Sequence, residues 1–287
     1  MKSTKSVAIL IVSGISILSF LSLAVASAID RFFPSRPAPR ETALLEERQF
    51  QAFITKKKEL DAQKSAHAAT STHIALAESL GLYSSRTGIM QIPNVPFVPQ
   101  SPLGEPGNWV LQNACEEASL LMAYGWIQGK EFSREEARSE ILRLAEFENE
   151  RLGFHEDTSI ADTALIMEEY FGYHGARVRD GISAADILEE LANGRIAILA
   201  VNGQILKNPN YLPPGPIQHM IVAIGYDFLR DEFIVHDPGT HAGENYRYSL
   251  ATVQDALQDY PSGYHEPLEE GKRVMIVVYP PYETIGE

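Results

Sequence analysis

Residues 216–239, PIQHMIVAIGYDFLRDEFIVHDPG, contain the pattern that decides the fold. Two short runs within this stretch, HMIVAIGYD and EFIVHDPG, are rich in β-branched and aromatic residues and predict two strands. The residues between them, 229–231, predict the turn of an antiparallel hairpin. His219 opens the first strand, and Asp237 ends the second, directly before a Pro-Gly pair that breaks the strand. Because the start of one hairpin strand lies near the end of the other, we expect His219 and Asp237 to be neighbours.

The order of predicted elements around this hairpin indicates the fold class. Helical spacing and capping signals come first, in segments that begin at Cys115, Ser133, Thr158 and Ser183. Strand-like segments follow: RIAILAVNG, the two hairpin runs, ENYRYSL and KRVMIVVYP. A further strand-like run, QIPNVPFVPQ, is expected at the start of the globular domain, residues 91–287. Helices followed by strands predict an α+β fold with an antiparallel sheet.

Composition and charge exclude several classes of protein. The 287 residues are 45% hydrophobic and 22% charged, which is typical of a globular protein with a substantial core. The formal net charge of −14 argues against sequence-independent nucleic-acid binding, which needs clustered Lys and Arg, so we expect no nucleic-acid partner. With one cysteine, Cys115, the chain cannot form an internal disulfide framework or a cysteine-based zinc site.

The amino terminus predicts contact with a membrane. Residues 6–29 form an uncharged run dominated by Ile, Leu, Val, Ala and Ser, and Lys2 and Lys5 precede it. A run of this length suits a spanning helix and favours an uncleaved transmembrane anchor over residues 1–29. The small-x-small sequence at residues 26–28 leaves a cleaved signal peptide as the alternative. In both cases we expect the rest of the chain to be extracytoplasmic, either membrane-anchored or secreted.

Residues 30–90 are expected to link this segment to the globular domain. The Pro-rich residues 30–40 predict an extended linker, and residues 41–64 have the composition and apolar stripe of a helical stalk. The stripe is irregular, so a dimerising coiled coil is an alternative and the oligomeric state stays open. The stretch AHAATSTH, residues 66–73, predicts a loose connector.

Cys115 is either a buried structural residue or a nucleophile. It lies at the predicted start of a helix, after a loop rich in Gly, Pro and Asn. Backbone N–H groups and the helix dipole at a helix amino end stabilise a thiolate, so this position predicts a lowered thiol pKa. Glu116 and Glu117 act in the opposite sense. The pairing of His219 with Asp237 favours the nucleophile, because a carboxylate beside an imidazole fixes the tautomer that a Cys-His pair needs.

The segments VPFVPQ, NWVLQNACEEAS, MAYGW, QHMIVAIGYD and IVHDPG resemble the peptidase C39-like family of papain-like cysteine peptidases. The resemblance implies a papain-like fold, in which the nucleophile at a helix amino terminus packs on an antiparallel sheet. It also implies that Cys115 is the nucleophile, His219 the general base, Asp237 the orienting acid and Gln100 the side-chain donor of the oxyanion hole. Gln112 is a rival for the oxyanion role, because it lies only three residues before Cys115.

The resemblance implies a membrane-anchored or secreted thiol peptidase that hydrolyses a peptide or protein substrate through an acyl-enzyme intermediate. The alternatives are a cell-wall amidase or acyltransferase with the same triad, and a non-catalytic peptide-binding domain. No cofactor and no metal are implied. His236, Asp237 and His241 could be read as a metal cluster, but adjacent strand residues point to opposite faces, and no standard ligand spacing is present.

Overall fold

The structure is a computed structural model that describes residues 39–268 and 270–281. The chain divides into two compact units, Met1–His67 and Ala68–Glu287. The apolar run expected to enter a membrane, within residues 1–29, lies outside the described residues, and so does the linker up to residue 38. Among the helices in the described ranges, none has both the length and the apolar character needed to cross a bilayer.

A long helix, α1 (Pro39–Ser79), begins the described part of the chain. It includes residues 41–64, where the sequence predicts a helical stalk. It also includes AHAATSTH, so the prediction of a loose connector at residues 66–73 is wrong. Alanine has the highest helix propensity, and the Thr72 hydroxyl donates to the Ala68 carbonyl within the helix. The second compact unit starts within α1, before the expected domain start at residue 91.

Further helices follow α1, and several begin and end where the sequence signals indicate. Their bounds are α2 (Trp109–Gln112), α3 (Cys115–Gln128), α4 (Arg134–Leu152), α5 (Ile160–Phe171), α6 (Ala184–Ala192), α7 (Gly203–Leu206) and α8 (Leu250–Ala256). Ser133 and Glu136 form the predicted capping box at the start of α4. Gly172 ends α5 in the left-handed conformation that favours glycine.

The strands of the described chain form an 8-stranded antiparallel sheet. Its order is β1-β2-β5-β4-β8-β3, while β6 pairs with β5 and β7 pairs with β6. The mixed helix-and-strand class with an antiparallel sheet is therefore confirmed. The strand bounds are β1 (Tyr83–Ser84), β2 (Ile89–Gln91), β3 (Ala176–Asp180), β4 (Ile196–Val201), β5 (His219–Asp227), β6 (Glu232–His236), β7 (Tyr246–Ser249) and β8 (Val274–Val278).

The strand expected in QIPNVPFVPQ is wrong in position. β2 ends at Gln91, and residues 92–100 lie outside any strand. Pro93, Pro96 and Pro99 lack the N–H group that a strand donates to its neighbour, so this segment cannot continue the ladder. The sequence patterns also do not predict β1, β3, α2, α7 or α8, which are short or weakly periodic.

The core lies between the sheet and the helices that pack on it. Every residue of β4, β5 and β8 is buried, which explains why these strands are continuous apolar runs and not alternating ones. α3 packs against β5, and most of its residues are buried as well. This packing brings Cys115, the first residue of α3, alongside β5 at Met220, the second residue of that strand.

Candidate active site

The hairpin of β5 and β6 places His219 next to Asp237. Val222 lies opposite His236 in this antiparallel pair, so the next residue, Asp237, reaches the beginning of β5. The Nε2 atom of His219 lies 2.8 Å from Oδ1 of Asp237, and both side chains are buried. The structure thus brings together the two residues that the sequence predicts to be neighbours. Because a carboxylate only accepts, Nε2 carries the hydrogen, and the lone pair is on Nδ1.

Gly239 is required by the close approach of the chain to this imidazole. A Cβ atom at this position would lie 2.9 Å from Cε1 of His219 and 3.0 Å from Cε1 of Tyr211. Carbon atoms do not approach this closely without a shift of their neighbours. The Pro-Gly pair after Asp237 therefore does more than end the strand, because the glycine also leaves room for the His219 ring.

Asp237 is held by a set of donors that sequence reasoning missed. Its Oδ1 atom accepts from His219 and from the backbone N–H of Gly239 at 3.0 Å. Its Oδ2 atom accepts from the Tyr211 hydroxyl at 2.5 Å, the Tyr248 hydroxyl at 2.6 Å and Nδ2 of Asn208 at 3.1 Å. These donors come from a loop before β5 and from β7, so no local spacing signals them. A buried carboxylate must nevertheless find donors somewhere in the fold.

The donors keep Asp237 ionised. Burial alone would raise the pKa of Asp237, but the electrostatic interaction with His219 and the hydrogen bonds from His219 and the two tyrosines outweigh burial, so the pKa is lowered. Burial and the charge of Asp237 raise the pKa of Tyr211 and of Tyr248, so both hydroxyls stay protonated and donate. The site therefore holds a charged carboxylate rigidly against the imidazole.

Cys115 lies beside the same strand, at the amino end of α3. Its side chain is only 5% exposed. The backbone N–H of Met220, the residue after His219, faces the sulfur and acts to lower the thiol pKa. Within the described contacts, the Sγ–H group donates to Oε2 of Glu116 at 3.0 Å, and no hydrogen bond joins Sγ to His219.

The expectation of a lowered thiol pKa at Cys115 is wrong for this structure. Burial, followed by the negative charge of Glu116 and the hydrogen bond to it, raises the pKa of Cys115 well above its usual value. Two effects favour a thiolate, the helix amino end and the Met220 N–H group, but desolvation outweighs them. Burial is a tertiary property, so the position of Cys115 along its helix did not reveal it.

Gln100 bridges the segments before Cys115 and after Asp237. Its backbone N–H donates to the carbonyl of Pro238 at 2.9 Å, and its Nε2 atom donates to the carbonyl of Gln112 at 2.5 Å. Gln112 is the last residue of α2, and its own side chain is exposed. The two residues that the sequence offers for the oxyanion role are therefore in contact, through the Gln100 amide and the Gln112 carbonyl at the end of α2.

The alternative metal cluster is not formed. His236 donates from Nε2 to the Val95 carbonyl at 3.0 Å and accepts at Nδ1 from the Asn245 N–H at 3.1 Å, which uses both ring nitrogens. Across residues 39–268 and 270–281, no group of at least three His, Cys, Asp or Glu side chains is arranged to hold a metal ion.

Comparison with known proteins assigns the family. The sequence profile of the peptidase C39-like family matches residues 92–264, a range that includes Gln100, Cys115, His219 and Asp237. The chain belongs to the peptidase C39-like family. This C39-like chain is also similar to a crystal structure from Bacillus anthracis described as a candidate C39-like peptidase, with 15% identity and a TM-score of 0.42. The match covers 66% of this chain and 96% of that one. No curated protein sequence matches the chain significantly.

Proposed function

We propose that this C39-like chain is a papain-like thiol peptidase that hydrolyses peptide bonds with Cys115, His219 and Asp237. The observation that carries the proposal is the buried 2.8 Å contact between Nε2 of His219 and Oδ1 of Asp237. This contact leaves Nδ1 of His219 free to accept a proton. The next residue in the chain, Met220, faces the Cys115 sulfur with its backbone N–H group. Nucleophile, base and orienting acid in this order are the elements of acyl transfer.

The reaction begins when the Cys115 thiol turns from Glu116 towards His219. Its proton passes to Nδ1, the sulfur attacks the substrate carbonyl, and a thioester forms as the amine leaves with a proton from the imidazolium. Water then loses a proton to His219 and attacks the thioester, which releases the carboxylic acid and restores the thiol. Asp237 stays ionised throughout and stabilises the imidazolium.

The test is hydrolysis of a quenched-fluorescence peptide library by the full-length chain, in parallel with labelling by a peptidyl epoxide. We expect the wild-type chain to cleave peptides and to form one adduct, on Cys115. Cys115→Ala and His219→Ala should both reduce turnover to background. Turnover that persists in Cys115→Ala would contradict the proposal.

A second candidate, a peptide-binding domain without catalysis, is favoured by the buried thiol and its bond to Glu116, and it predicts binding of peptides with neither turnover nor adduct.

Gln100 is the side-chain donor that we propose for the oxyanion hole. Gln100→Ala should lower kcat by about 10²–10³-fold with little change in KM, because an oxyanion donor acts mainly on the transition state. Gln112→Ala is the matched control, since it removes the same amide from the neighbouring loop, and it should change kcat less than tenfold. Steady-state kinetics on one good peptide substrate compares the two variants, and the reverse pattern would assign the role to Gln112.

We also propose that the peptidase acts outside the cytoplasm, on a membrane anchor or as a secreted protein. This proposal is supported by the uncharged run of residues 6–29, which follows Lys2 and Lys5 in the sequence. Amino-terminal sequencing of the protein from fractionated cells distinguishes the two forms. A full-length chain in the cytosolic fraction would contradict both.

A further inference from the structure

Glu116 accepts two hydrogen bonds, one of them from the proposed nucleophile. It is the second residue of α3, and its side chain is completely buried. Its Oε2 atom accepts from Sγ of Cys115 at 3.0 Å, and its Oε1 atom accepts from the Tyr260 hydroxyl at 2.6 Å. Each carboxylate oxygen of Glu116 thus has its own donor, and the two hydrogen bonds together fix the orientation of the carboxylate group.

The two donors indicate which member of the Cys115–Glu116 pair carries the negative charge. An ionised carboxylate only accepts hydrogen bonds, and charge-assisted bonds are stronger than neutral ones. Burial and the charge of Glu116 raise the pKa of the Tyr260 hydroxyl, so Tyr260 keeps its proton and donates. Above about pH 7 the charge therefore lies on Glu116, and the sulfur keeps its hydrogen.

The surroundings of Glu116 are acidic on several sides. The charged and titratable groups around Cys115 and Glu116 come from α3, α4, the loop before α5 and the segment after α8; they are Glu117, Glu148, Asp157 and Tyr260. Burial raises the pKa of Glu116 to about 7, while the bonds from Cys115 and Tyr260 lower it and the charge of Asp157 raises it. Glu116 therefore changes its charge near neutral pH.

We propose that Glu116, oriented by Tyr260, is a positioning residue that holds Cys115 as a neutral thiol directed away from His219 in the resting enzyme. This inference rests on the proposed role of Cys115 as the nucleophile. The restraint is released when the thiol turns to His219 or when Glu116 takes up a proton, because a neutral carboxyl group is a weaker acceptor. The restraint therefore weakens as the pH falls through about 7.

The single cysteine makes the restraint directly observable, because the infrared S–H stretch of the full-length chain comes from Cys115 alone. At pH 8 the wild-type band should lie at the low frequency of a hydrogen-bonded thiol and should persist well above the pH at which a free thiol ionises. Glu116→Gln keeps the shape of the side chain and removes its charge. Its band should move to higher frequency, and its loss on titration should shift down by about one pH unit or more, since a nearby charge shifts a pKa by 1–3 units.

Glu117→Gln is the matched control, because Glu117 is an equally buried neighbour whose carboxylate makes no hydrogen bond to the thiol in the described chain. Its S–H band should stay at the wild-type frequency. A band in Glu116→Gln with wild-type frequency and titration would overturn the proposal. An equal change in both variants would do the same, because it would show that the hydrogen bond from the thiol to Glu116 does not set the band.

Tyr260→Phe tests the hydrogen bond from Tyr260 to Glu116. If Glu116→Gln fails to fold, this variant still decides whether Glu116 restrains the thiol. At pH 9 the Glu116 carboxylate of this variant has lost its second donor, so it should accept more strongly from the thiol and lower the S–H frequency. An unchanged band would overturn the role of Tyr260. These spectra do not depend on turnover, so a chain that shows the expected bands but cleaves no peptide would refute the proposed peptidase function and leave the Glu116 restraint intact.

Discussion

We expect Asp237→Asn to lower kcat/KM for peptide hydrolysis by about 10⁴-fold, the scale seen when a triad carboxylate becomes an amide. The environment of Asp237 decides how the amide is oriented. Tyr211, Tyr248 and Asn208 all donate to Oδ2, so an NH₂ group cannot replace this oxygen without facing three donors. The NH₂ group must therefore take the Oδ1 position and donate to Nε2 of His219. This forces the proton onto Nδ1, where the imidazole can no longer accept the thiol proton.

The control for this variant is Tyr248→Phe, which removes one donor from Asp237 but keeps the carboxylate. Losing one hydrogen bond to a charged group costs about 1.5–3 kcal/mol, so kcat/KM should fall by about 100-fold at most. Both variants are compared by steady-state kinetics and by the histidine NMR signals that report the tautomer. An Asp237→Asn enzyme with more than a tenth of wild-type activity would show that Asp237 does not set the His219 tautomer.

We expect the stability of the fold to decrease as the pH rises from 6.5 to 8.5, because of two buried glutamates in α3 and α4. Glu117 and Glu148 are fully buried, and neither carboxylate has a hydrogen-bond partner in the described part of the chain. The nearest basic contact of Glu117 is Nδ1 of His155, 3.7 Å from its Oε1 atom. Burial first, and then the charges of neighbouring glutamates, raise the pKa of both groups well above the usual value.

The direction in which the free energy of unfolding changes with pH follows from proton linkage. Above pH 4.5 the unfolded chain has released these protons, while the folded chain keeps them, so folding binds protons. Each such group lowers the free energy of unfolding by about 1.4 kcal/mol per pH unit until the pH passes its folded pKa. Asp237 and other carboxyl groups with lowered pKa values contribute slope only below their unfolded values, near 3.8 for Asp and 4.5 for Glu. His236, whose pKa burial lowers, opposes the trend only up to about 6.5.

Urea unfolding of the full-length chain at several pH values measures this slope. Glu148→Gln should flatten it and should raise stability at pH 8, because the neutral amide takes up no proton from solution when it is buried. Glu150→Gln is the matched control, since Glu150 lies on the same helix, α4, but is exposed, and it should leave the slope unchanged. A wild-type stability that rises between pH 6.5 and 8.5 would contradict the prediction.

The sequence by itself determined the features that depend on short stretches of chain. Helices α3, α4, α5 and α6 and the β5–β6 hairpin follow from local periodicity, caps and turn residues. The contact of His219 with Asp237 follows from the register of one hairpin, and the helix start at Cys115 follows from the loop before it. These features need no knowledge of the rest of the fold, because the residues that produce them are close in sequence.

Only the tertiary structure decided the protonation and surroundings of the candidate site. Tyr260 meets Glu116 across 144 positions of sequence, and Asn208, Tyr211 and Tyr248 converge on Asp237 from separate elements. The raised pKa of Cys115 comes first from burial, which no spacing of residues reveals. The physical reason is that desolvation and long-range hydrogen bonds are set by how the sheet and helices pack, whereas periodicity reports only which face of each element is apolar.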